Sequence, residues 1–116
     1  MLWSLSDPAR LADGARAEIE DAQNEVLVSV ASAWELAIKA ALGRVRFPSD
    51  LETAIARQGF QSLGISFAHA ALAGRLPPHH GDPFDRMLVA QAQSESLTLV
   101  TRDTQLAPYG VAILWA

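Results

Sequence analysis

Three acids carry the chemical interest of this chain: Glu35 in Ser32-Ala33-Trp34-Glu35, Asp85 in Asp82-Pro83-Phe84-Asp85, and Asp103 in Thr101-Arg102-Asp103. Carboxylates gathered in one place, with no cysteine in the chain and no His-rich ligand set, favour a hard, octahedral cation, Mg²⁺ or Mn²⁺. Without one, like charges that close repel or take up protons. A site of this kind does phosphoryl chemistry, because the ion activates water and offsets charge on a phosphodiester. Each acid taken singly has a plainer reading. Glu35 stands three residues after Ser32, as in a capping box, Asp85 stands three residues after a capping Asp82, and Asp103 suits a turn. Their joint placement decides between these readings, and that depends on the elements that carry them.

The acids fall where helices begin and strands end. Asp82 reads as an N-cap and Pro83 as the first helical residue, where a fixed φ and a missing N–H cost nothing, so Asp85 lies in the first turn. That helix fades at Ser94-Glu95-Ser96 and gives way to a β-branched run, Leu97–Thr101, that ends beside Asp103. Glu25–Val30 reads as the first clear strand, and Ser32 opens a helix through Leu42 that carries Glu35 in its first turn and closes at Gly43. Trp34, Ala37, Ile38, Ala41 and Leu42 form one face of this helix, and Leu36 with Ala40 makes the other face apolar too, so a partner is expected beyond the sheet.

The remaining elements follow by the same rules. Ser6-Asp7-Pro8 leads into a helix over Ala12–Ala22; Ser49-Asp50-Leu51-Glu52 is a second capping box whose helix stops at Gly59. Phe60–Ile65 is a weak strand, Ser66 caps a helix to about Leu76, Pro77–Gly81 is a loop, and Val111–Trp115 is a last strand after Pro108-Tyr109-Gly110. Strands alternating with helices give an α/β fold with a mainly parallel sheet flanked by helices, one domain over residues 1–116. In such sheets the ligand crevice lies at the carboxyl ends of the strands, where all three acids fall.

Composition narrows the function. Half of the 116 residues are hydrophobic, enough for a core, and a formal charge of −4 argues against holding nucleic acid by bulk electrostatics. The opening MLWSLSDPAR lacks a basic stretch and a long apolar run, and no segment approaches a membrane span, so we expect a cytoplasmic protein with no membrane attachment. There is no P-loop, GxGxxG or GxSxG motif.

The phrases VLVSVASAWELAIKAALGR, AGRLPPHHGDPFDRMLVAQA and LTLVTRDTQLAPYGVAILW, in that order and spacing, resemble the PIN-domain nucleases, in particular the VapC-like ribonuclease toxins of toxin–antitoxin pairs. The likeness runs from about Leu2 to the C-terminus. It implies a PIN-like three-layer fold and a Mg²⁺- or Mn²⁺-dependent endoribonuclease, a homodimer whose RNA cleavage is blocked by a small antitoxin. Carried over by motif, Glu35, Asp85 and Asp103 are the catalytic and metal-binding acids, while Ser32 and Asp82 orient or cap them. The family opens with a central strand ending in Asp, followed by a helix. The stub Leu2-Trp3-Ser4-Leu5 matches that helix, so the central strand and its Asp are expected to be missing, and Asp7 is poorly placed to substitute.

Smaller readings complete the set. Arg86 and Arg102 flank the acids as candidate contacts to RNA phosphate, though arginines beside acids are more often local charge balancers. His79 and His80 are candidates to touch substrate or ion, but read more simply as solvated loop residues, since nothing else nearby has the ligand spacing of a His-rich metal site. Trp34, Phe84, Tyr109 and Trp115 read as core and interface. Two rival functions stand beside the nuclease: a truncated, non-catalytic scaffold that binds protein through the helix Ala33–Leu42, and a metal phosphatase on small molecules.

Overall fold

The computed structural model describes residues 2–3, 25–44 and 50–115. In chain order these form β1 (Leu2–Trp3), β2 (Leu27–Ser29), α1 (Val30–Ala41), α2 (Leu51–Arg57) and β3 (Gln61–Leu63), then α3 (Phe67–Arg75) and α4 (Pro83–Glu95). The chain ends with β4 (Leu99–Thr101), a 3-10 helix over Thr104–Tyr109, and β5 (Ile113–Trp115). The expected helix Ala12–Ala22, and Asp7 before it, lie outside the described residues.

Five strands make one sheet among the described residues, ordered β3-β2-β1-β4-β5 and parallel at every pairing. The central strand is present, which corrects the reading of Leu2-Trp3 as a helix remnant. Leu2 pairs with Leu27 and Leu99, and Trp3 with Val28 and Val100. An empty slot there would strand backbone donors and acceptors on both β2 and β4, each at about 1–3 kcal/mol, and even two residues of strand answer that demand.

Alternation along the strands sends neighbouring residues to opposite faces. Leu99 joins the core of Leu88, Val89, Ala90, Ala92, Leu106 and Tyr109, with Ala31 and Leu76. Val100 joins Val26, Val28 and Ile55 on the other side. Helices therefore cover both faces, and α4, buried at five consecutive residues from Leu88 to Ala92, is the central one. No described helix is long and apolar enough to cross a membrane.

Helix starts follow the capping residues, with two corrections. Asp82 accepts from Phe84 N–H and Pro83 occupies the first turn of α4, as the sequence predicts, and Ser66 caps α3; the cap of α2 is Asp50, one residue after the Ser49 that opens the expected capping box. The helix that carries Glu35, however, begins at Val30, and its N-cap is Ser29. Ser32 is consequently not a cap but a buried residue one turn further in, and its hydroxyl has no hydrogen-bond partner among the described residues. Glu35 is in turn displaced from the first turn, which holds no acid.

Candidate metal centre

Asp103 leaves β4 on a short tether. Its N–H donates to Thr101 Oγ1 (3.1 Å), and its Oδ1 accepts from Gln105 N–H (2.9 Å) to cap the 3-10 helix. One carboxylate oxygen is used structurally, and the other, Oδ2, meets His80 Nε2 at 2.7 Å. Asp85, in the first turn of α4, brings its own Oδ2 to 3.2 Å from the same nitrogen. His80, Asp85 and Asp103 thus each place one potential ligand atom within 4.8 Å of the others.

Burial pushes the Asp85 carboxyl up to about 6, with Asp82, Glu35 and Asp103 adding in the same direction and His80 opposing them. Four acids therefore share one field, a local excess of negative charge of the kind that a divalent cation relieves. Glu35 takes part in that field but is not in the close set of three ligand atoms; it pairs with Lys39, one turn on in α1, at 3.9 Å. The Trp34 and Phe84 rings, each next to one of the acids in sequence, meet edge to face with centroids 4.9 Å apart and so couple α1 to the start of α4.

His80 corrects the reading of a solvated loop: it stands between Asp85 and Asp103. His79 is exposed, as a loop residue would be, with its ring against Tyr109. The loop is fastened from below. Arg86 donates to the carbonyls of Pro77 (3.1 Å), His80 (3.3 Å), Ala73 (2.8 Å) and Leu76 (2.9 Å). Tyr109 OH donates to Pro77 O (2.8 Å) and accepts from His80 N–H (2.9 Å). A guanidinium committed to four carbonyls holds a loop and does not reach for phosphate, which removes Arg86 from the candidate RNA contacts. Arg102 is exposed beside Asp103 and keeps that candidacy. Asp82 caps α4 through Oδ1 and adds charge next to Asp85.

The residues that the sequence ranks too low, His80 as a site member behind a loop role and Tyr109 as its anchor behind a core role, share a motif with Asp82 and Asp85 or lie just past Asp103. That proximity was the available signal. A hollow of about 330 Å³ lined by Ser96, Leu97, Gly110 and Val111 sits before β4 and β5, at the edge of the sheet opposite the acids.

The PIN domain family model matches residues 1–111. Ribonuclease VapC22 of Mycobacterium tuberculosis (strain ATCC 25618 / H37Rv) is 33% identical over 107 residues, 90% of this chain and 82% of that protein. Among solved structures, FitAcB from Neisseria gonorrhoeae superposes with a TM-score of 0.70 at 21% identity, covering 97% of this chain and 95% of that one. FitAB bound to the IR36 DNA fragment gives a TM-score of 0.66 at 18% identity, covering 98% and 93%.

Proposed function

Because the chain belongs to the PIN domain family and is similar to a VapC ribonuclease, we propose that it is a VapC-like toxin, an endoribonuclease dependent on Mg²⁺ or Mn²⁺. The observation that carries this reading is the convergence of Asp85 and Asp103 on one point, where burial, and after it the charge of Asp82, Glu35 and Asp103, pushes Asp85 toward neutrality. Asp85 and Asp103 would hold the ion, with Glu35 close by. When bound, the ion supplies an activated water and offsets charge on the phosphodiester. The chain's own part is to set the acids: Asp82 and Pro83 fix the start of α4, and the Asp103 cap fixes one carboxylate oxygen while leaving the other to the site. Arg102, exposed beside Asp103, is the candidate contact to an RNA phosphate.

Control by a small antitoxin and assembly as a homodimer belong to the same proposal, for a cytoplasmic, single-domain protein spanning residues 1–116. Support for a partner comes from α1, where Val30, Trp34, Ile38 and Leu42, each four residues apart, are all exposed, Trp34 at 61% and Leu42 at 62%. Such a stripe on a helix is a docking face. A non-catalytic scaffold would have the same stripe, so the discriminating experiment is chemical. The nuclease cleaves single-stranded RNA in Mn²⁺, leaves a phosphomonoester intact, and loses at least about 100-fold in rate in the Asp85→Asn variant. Full activity in that variant sinks the assignment.

A further inference from the structure

His80 holds a place in the site that none of the acids explains. Its Nδ1 accepts the Asp82 N–H at 3.0 Å, so that nitrogen's lone pair is in use and the ring hydrogen stands on Nε2. Nε2–H then points between two acceptors, Asp103 Oδ2 at 2.7 Å and Asp85 Oδ2 at 3.2 Å. A donor directed at two carboxylate oxygens occupies the position that a cation shared by those oxygens would take. To bind the ion through Nε2 the ring would need its hydrogen on Nδ1, opposite the Asp82 N–H, where two donors would face each other.

We propose that His80 is a built-in competitor of the divalent cation, and that the ion loads by displacing the imidazole from Asp85 and Asp103. Only a protein that binds a cation at these acids, as proposed above, calls on His80 in this way. The ring is the movable part of its loop, because the backbone on either side is held independently: His80 N–H by Tyr109 OH and His80 O by Arg86. Displacement therefore costs the hydrogen bond to Asp103 and the close contact with Asp85 Oδ2, and leaves the loop in place. While the ring stays in, it partly offsets the charge around Asp85; once it leaves, the full negative field acts on the ion. Cation occupancy becomes a competition, and that makes the site a poor scavenger at low metal concentration.

The test is calorimetric titration of Mn²⁺ into the purified wild-type chain and the His80→Ala variant. Loss of a charge-assisted hydrogen bond that the ion would otherwise have to break predicts tighter binding by the variant, about tenfold in Kd. Equal or weaker binding by the variant overturns the role given to His80, weaker binding being the mark of a ligand. Absence of Mn²⁺ binding in both proteins overturns the cation reading itself, and this inference with it. Should the variant fail to fold, the wild type decides the question through long-range ¹H–¹⁵N spectra of the histidine rings during Mg²⁺ titration. Displacement leaves the hydrogen on Nε2, whereas a shift of the hydrogen to Nδ1 contradicts it.

Discussion

Two histidines of this protein are held in the same manner and serve opposite ends. His69, 2% exposed, accepts Ser66 N–H on Nδ1 (3.1 Å) and faces Glu95 Oε1 with Nε2 (2.8 Å). His80 accepts Asp82 N–H on Nδ1 and faces Asp103 and Asp85. Around His69 the account closes. Ser66 Oγ returns a bond to His69 N–H, and Gln91 donates to Gly64 O (3.2 Å) and accepts from Ser29 Oγ (2.6 Å), tying α4 to the start of α1 and to the turn after β3. One acid, 46% exposed to water, balances one ring. Around His80 it does not close, because the ring faces two acids and two more stand near. A ring in one hydrogen-bonding pattern builds a core where its hydrogen meets one acceptor and a site where acceptors outnumber it.

The largest effect is expected on the balanced side. Gln91→Leu leaves Ser29 Oγ and Gly64 O without their buried partner, and should cost about 2–4 kcal/mol in urea unfolding. A cost under about 1 kcal/mol would mean that the His69 cluster is packing rather than a network.

The unbalanced side should show itself in pH dependence with chelator present. The folded-state pKa of Asp85 is raised from 3.8 to about 6, so the folded chain holds this proton to higher pH than the unfolded chain does. The resulting stability is full below about pH 4 and is lost as pH rises through about 6. The loss should be about 2 kcal/mol, discounted for a side chain 24% exposed. Asp85→Asn should abolish that slope and leave the metal-free protein more stable at neutral pH. A slope unchanged in Asp85→Asn would place the strain elsewhere.

The smallest effect sharpens the contrast. Asparagine caps a helix about as well as aspartate, so Asp82→Asn should change stability by no more than about 0.5 kcal/mol. It should nevertheless move the Asp85 titration downward, since one of its negative neighbours is gone. An Asp85 titration that stays put, followed by carboxyl NMR, would show that the Asp82 charge does not reach Asp85.

What the sequence could and could not disclose follows the range of the interactions. The start of α4 was legible because Asp82 and Pro83 act on residues one to three positions away, and so were the Ser66 cap and the end of α2 at Gly59, whose φ of 78° suits glycine. A mainly parallel sheet followed from the alternation of strand and helix signals, and every described pairing is parallel. The start of α1 was misread, with Ser32 chosen over Ser29, because Ser29 is selected partly by its bond to Gln91, 62 residues away. His80 ranked as loop before site because its partner Asp103 lies 23 residues on, and Arg86 stayed a candidate phosphate contact beside its charge-balancing reading because backbone carbonyls leave no trace in a sequence. Two residues of β1 are too few for periodicity to register, and their place is set by the strands on either side.

The central claim, that a divalent cation held at Asp85 and Asp103 makes this chain a ribonuclease, is met most directly by one measurement: cleavage of single-stranded RNA in Mn²⁺, after chelation, and after Mn²⁺ is restored, with Asp103→Asn assayed in parallel. The account predicts cleavage that stops on chelation, returns with the metal and is absent from the Asp103→Asn protein although that protein is folded. Cleavage that survives chelation, or proceeds at the wild-type rate in Asp103→Asn, would contradict it.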